Sequence, residues 1–122
     1  MACLCNPPTA LDKVVEWNID RNLTTFDLST ELRMLDEEVR ELVEAANDDQ
    51  RVDALNDIIV LAAGAIHKLG YKPELTMLET IKEISSRKGA INLATGKWEK
   101  LKDQDPSTLY KANYNNTKRG NL

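Results

Sequence analysis

Apolar residues recur along this chain at helical spacing, and polar or Pro/Gly breaks divide it into four such segments. Thr9 is placed to cap a helix predicted over Ala10–Arg21, with Leu11, Val14, Val15, Trp17 and Ile19 as its apolar positions. A linker from Asn22 to Phe26 follows, and Asp27 or Ser29 offers the next cap. The second helix is predicted over Ser29–Ala46, where Leu32, Leu35, Val39, Leu42 and Ala46 form a heptad-like stripe that should pack on other helices. The third is predicted over Asp49–Leu69, with Gly70 as the residue that ends it. From Ile58 onward it is apolar almost all round, so it should be the central and most buried element. Pro73 suits the first turn of a fourth helix over Pro73–Arg87. Beyond Gly89 the period fades. Ile91–Lys100 reads as a turn or short hairpin, and the polar end after Ser107 as a mobile tail.

No strand pattern or internal repeat stands out elsewhere. The expected fold is all-α: one domain over residues 1–122, built as an antiparallel bundle of about four to five helices and completed by oligomerisation, with residues 1–8 and 115–122 flexible.

Composition narrows the class. A chain of 122 residues with 42% hydrophobic and 30% charged content is long enough for one core and short enough to gain from self-association. A net charge of −4 argues against nucleic acid as the main partner. No apolar run is long enough to span a bilayer, and the first residues carry no basic leader, so a cytoplasmic protein with no membrane partner is expected. Cys3 and Cys5 lack further ligands at metal-binding spacing, since His67 is the only histidine, and they read as free thiols near a chain end.

The candidate chemistry lies between Glu37 and Asp57. Asp57 stands at the head of the apolar run Ile58–Ile66, where an uncompensated carboxylate is costly. It therefore calls for a basic partner or a metal ion. Glu38 and Glu41 share one side of the second helix, Asp53 and Asp57 share one side of the third, and the short connection between these helices makes them antiparallel neighbours. Four carboxylates without His or Cys suit a hard cation, Mg²⁺ or Mn²⁺. A di-iron site would want Glu-x-x-His pairs, and Gly64 stands three residues before His67. The plainer reading makes Glu37, Glu38 and Glu41 a solvated acidic face. His67 is read as a helix-end or interface residue.

Glu37-Glu38-x-x-Glu41, followed by Asp53-x-x-x-Asp57 and a long apolar helix, resembles the MazG-like all-α nucleoside triphosphate pyrophosphohydrolases, especially their short phage- and bacterial-type members. The family pattern is E-E-x-x-E, a spacer, then E-x-x-D. Here the acid of the last motif falls on Ala54, and Asp53 is the nearest substitute. The resemblance implies cleavage of a (deoxy)nucleoside triphosphate between its α and β phosphates, giving the monophosphate and pyrophosphate. It implies Mg²⁺ or Mn²⁺ held by Glu38, Glu41, Asp53 and Asp57, with Glu37 and Glu38 as catalytic candidates and Glu37 in a supporting role or as base. Gly- and Ala-rich faces on the third helix, around Ala62, Ala63, Gly64 and Ala65, favour a homodimer or homotetramer in so short a chain.

By the same resemblance, Trp17 and Asn18 on the first helix would stack on and read the base. Arg87, Lys88, Lys97, Trp98, Lys100 and Lys111 would close over the polyphosphate, although surface lysines are the plainer reading of most of these. The Gly89–Gly96 spacing is too long for a P-loop, and Trp98 stands where Ser or Thr is required. The alternatives are a non-catalytic helical interaction module, and hydrolysis of phosphoribosyl-ATP by the same chemistry.

Overall fold

The computed structural model describes residues 7–120; Cys3, Cys5 and the extreme ends of the two segments expected to be flexible lie outside them. The fold is mostly helical, with a single small sheet among the described residues. It divides into two compact units, one running to Glu74 and one beginning at Leu75.

The first unit holds α1 (Ala10–Asp20), α2 (Leu28–Glu44) and α3 (Asp48–Lys68), and both α1 and α2 pack on α3. Local chemistry sets each start. Thr9 and Asp12 form a capping box: Thr9 Oγ1 accepts from the Asp12 amide at 3.2 Å, and Asp12 Oδ2 accepts from the Thr9 amide at 3.0 Å. Asp27 caps α2 through the Thr30 amide at 3.1 Å, and Asn47 caps α3 through the Gln50 amide at 2.9 Å. Helix α3 ends in a Schellman motif. The Tyr71 amide donates to the Ile66 carbonyl and the Gly70 amide to the His67 carbonyl, with Gly70 at φ 96°.

Two expectations about packing change. The α2 stripe is divided: Leu35 and Leu42 turn inward, whereas Leu32, 55% exposed, and Val39, 47% exposed, do not. The face of α2 turned inward carries Glu31 and Glu38 together with Leu35 and Leu42, so Glu38 lies on the packing face and not beside it. Helix α3 is central to its unit, since both other helices contact it, yet it is not buried all round. Ala54, Ala63, Gly64 and His67 are buried, while Leu55 and Ile59 remain about half exposed.

In the second unit, α4 (begun at Pro73 and ending at Ser85, two residues short of the predicted Arg87) carries a C-terminal segment along one side. Glu79 Oε1 accepts from the Asn113 amide at 2.9 Å and from the Tyr110 hydroxyl, and Glu83 Oε1 accepts from the Ala112 amide at 2.9 Å. Tyr114 and Thr80 share a hydroxyl hydrogen bond of 2.8 Å. A 3-10 turn follows at Tyr114–Thr117, with Thr117 buried. The expected hairpin is present and begins earlier than predicted: β1 (Gly89–Ile91) pairs antiparallel with β2 (Trp98–Lys100). Gly89 is required there, because a Cβ would meet the Trp98 ring and the Glu99 carbonyl at 2.3 Å.

Among the described residues no helix is long and apolar enough to cross a membrane.

Candidate active site

Helices α2 and α3 are joined by only Ala45–Asn47, so they run antiparallel and their inward faces meet along one seam. On α2 that seam carries Glu31 and Glu38, seven residues or about 10 Å apart along the axis. On α3 it carries Asp57, Leu61, Gly64 and Lys68, at steps of four, three and four residues. The seam therefore has two polar stations separated by apolar packing.

At the first station Glu38, Glu41 and Asp57 each bring a carboxylate oxygen within 4.8 Å of the others. Glu38 Oε2 is buried with no hydrogen-bond partner. Burial, followed by the neighbouring Glu41 and Asp57 carboxylates, pushes the Glu38 carboxyl up to about 7. Nearby arginines do not relieve this: Arg40 pairs with Asp36 at 3.1 Å and Arg51 with Asp48 at 2.7 Å. Three converging oxygens, one of them desolvated and unpartnered, fit a hard divalent cation by donor type and by charge.

The other predicted acids stand apart. Asp53 is exposed and outside this triad; it lines an open acidic depression of about 260 Å³ with Glu41, Glu44 and Gln50. Glu37 is exposed. Ala54, where the family pattern wants an acid, is only 2% exposed.

At the second station a cavity of about 420 Å³ opens between the three helices of the first unit. Trp17 and Asn18 both line it. Asn18 is buried at 4% exposure and its Nδ2 donates to the Val14 carbonyl at 2.9 Å. Trp17 is about half exposed, with the Arg21 guanidinium 4.3 Å from its ring centre. The cavity also holds a pair that periodicity did not single out: Lys68 Nζ lies 2.8 Å from Glu31 Oε2, with the side chains only 9% and 5% exposed. A signal was available, because Glu31 precedes Glu38 by seven residues and Lys68 follows Asp57 by eleven, both helical repeats of the same face.

In the second unit Arg87, Lys97, Trp98 and Lys100 gather around an open depression of about 490 Å³, while Lys88 and Lys111 are exposed elsewhere on the unit. Arg87 already has a local structural role. Its guanidinium donates to the Glu83 carbonyl at 2.7 Å and the Tyr110 carbonyl at 3.1 Å, tying the end of α4 to the C-terminal segment.

Comparison of the chain with protein-family models, with curated proteins and with solved structures finds no match.

Proposed function

We propose that the protein is a Mg²⁺-dependent nucleoside triphosphate pyrophosphohydrolase that releases a (deoxy)nucleoside monophosphate and pyrophosphate. The observation that carries this reading is the Glu38–Glu41–Asp57 convergence, with Glu38 Oε2 buried and unpartnered and no basic side chain paired to it. A buried carboxylate without a partner is expensive, and a cation is the partner that its neighbours' charge calls for.

Glu38, Glu41 and Asp57 would hold the Mg²⁺ or Mn²⁺, and Asp53, outside the triad, is not needed for it. When bound, such a cation neutralises phosphate oxygens and acidifies a water. The chain's own residues do the rest. Glu37, exposed and next to Glu38 in sequence, would accept a proton from the attacking water, and Trp17 and Asn18 would hold the base in the cavity they line. Such a substrate belongs to the cytoplasm.

The active form in this reading is a homodimer or homotetramer. Leu32, Val39 and Val43 lie on one line along α2 and are 55%, 47% and 79% exposed, while Leu55 and Ile59 on α3 are about half exposed. Among the described residues the buried core hydrophobics are two alanines, Ala54 and Ala63, and no large apolar side chain is fully buried, so a single copy leaves much apolar surface in water. A second copy would supply the missing cover.

The test is incubation with a panel of nucleoside and deoxynucleoside triphosphates, with Mg²⁺ or with EDTA, and identification of the products. Monophosphate and pyrophosphate should form only with the metal, and Glu38→Gln and Asp57→Asn should abolish turnover. Absence of turnover, together with a melting temperature indifferent to Mg²⁺, would leave a helical interaction module.

A further inference from the structure

We propose that the buried Glu31–Lys68 ion pair is the specificity element of the nucleotide site, and that with Asn18 it selects bases bearing an exocyclic amino group over uracil and thymine. This inference rests on the pyrophosphohydrolase reading and adds to it the residues that choose the substrate.

The pair is not explained by stability. Exchanging a buried ion pair for well-packed apolar residues is often neutral or stabilising, so its presence in a cavity wall asks for a second reason. Both partners line the same cavity as Trp17 and Asn18, and all three polar side chains are at least nine-tenths buried. Their hydrogen-bonding capacities have fixed sign. A carboxylate only accepts and an ammonium only donates. Asn18 could present either end of its amide, but donation from its Nδ2 to the Val14 carbonyl sets the orientation and leaves Oδ1 as the acceptor. Gly64 leaves room for the amide, since a Cβ there would stand 3.1 Å from Nδ2 and 3.2 Å from Oδ1. Glu31 spends Oε2 on Lys68 and retains Oε1, while Lys68 retains two of its three donors.

The wall thus offers two acceptors and one donor group. Cytosine and adenine match it with the two N–H bonds of their amino group and an adjacent ring nitrogen that accepts; guanine matches it with N1–H, its amino group and O6. The uracil or thymine edge carries one N–H between two carbonyls. It can satisfy Lys68 and one acceptor, and it strands the other in a buried site. A buried acceptor left unsatisfied lowers binding by about tenfold or more.

The experiment measures kcat/KM for dCTP, dATP, dGTP, dTTP and dUTP on the full chain with Mg²⁺, for the wild type and for Glu31→Gln and Lys68→Gln. The wild type should favour the amino-bearing bases by at least about tenfold. Glu31→Gln, whose amide can turn to donate, should bring dTTP and dUTP to within about threefold of dCTP. If the wild type hydrolyses all five within threefold of one another, the proposal is overturned and the hydrolase reading stands. The same holds if the variants slow every substrate by a common factor, as a mere clamp between helices would. If the wild type turns over none of them, the hydrolase reading falls and this proposal falls with it. Should a variant fail to fold, the wild-type ranking alone decides.

Discussion

Gly64 lies under Asn18 so closely that a methyl group on the glycine would stand 3.1 Å from the Asn18 amide nitrogen. The glycine sits in the middle of α3, where alanine would favour the helix by about 1 kcal/mol. Gly64→Ala should therefore leave the melting temperature within a few degrees of the wild type, because the helical gain offsets the displacement. The displaced amide should lower kcat/KM for the preferred nucleotide by about tenfold. Calorimetry beside steady-state kinetics checks both halves, and a variant equal to the wild type in kinetics would show that Asn18 takes no part in the site.

The acidic triad sets a pH dependence. The Glu38 carboxyl is raised from 4.5 to about 7 in the folded protein, so folding favours its protonated form. Metal-free protein should thus be most stable below about 4.5 as far as this group is concerned, lose that contribution as pH rises toward 7, and change little above it. A cation removes the penalty on the charged form. The rise in melting temperature on adding Mg²⁺ should then be larger at pH 8 than at pH 5.5. Equal shifts at the two pH values would count against the triad as the binding site.

The ion pair between Glu31 and Lys68 makes a separate stability prediction. With side chains 9% and 5% exposed, removing one partner leaves a buried charge uncompensated. Lys68→Met should destabilise by about 3 kcal/mol or more, whereas the double variant Glu31→Met/Lys68→Met should recover most of the loss. Chemical denaturation of the two singles and the double supplies the cycle. Additive losses would mean that the two side chains do not interact as the structure shows.

In the second unit the Tyr110 hydroxyl, then the Asn113 amide, hold the Glu79 carboxyl below its ordinary 4.5. The clasp on α4 is therefore fully formed at neutral pH and is lost as pH falls below about 4.5 through the lowered value. Hydrogen exchange at the Asn113 amide should be protected at pH 7 and should accelerate relative to intrinsic rates near pH 3. Glu79→Gln should show the faster exchange of Asn113 at both pH values.

Val43, 79% exposed on the outer line of α2, tests the assembly. Val43→Glu should cost a lone chain almost nothing and should shift an oligomer toward monomer in sedimentation velocity, with nucleotide turnover falling alongside. A wild type that sediments as a monomer at all concentrations would refute the expected assembly.

Much of the architecture was legible in local chemistry. Thr9, Asp27 and Gly70 mark helix ends because capping depends on a few adjacent residues, and the structure places them in those roles. The juxtaposition of Glu38, Glu41 and Asp57 was likewise readable, since i, i+3 spacing and a short connection leave little freedom. The turn at Tyr114–Thr117 was not, because it is anchored through Tyr114 to Thr80, more than thirty residues away.

The inward face of α2 lay beyond the sequence for a different reason. Periodicity ranks positions by hydrophobicity and so put Leu32 and Val39 on the packing stripe with Leu35 and Leu42, and it did not single out Glu31. Packing ranks them by what they meet. Lys68 comes from the far end of the antiparallel partner to neutralise Glu31, and Glu38 turns inward toward Asp57, so charge enters the seam while Leu32, Val39 and Val43 stay outside. Composition and spacing are properties of one helix, but compensation of a buried charge belongs to two, and only the folded chain brings the second within 2.8 Å.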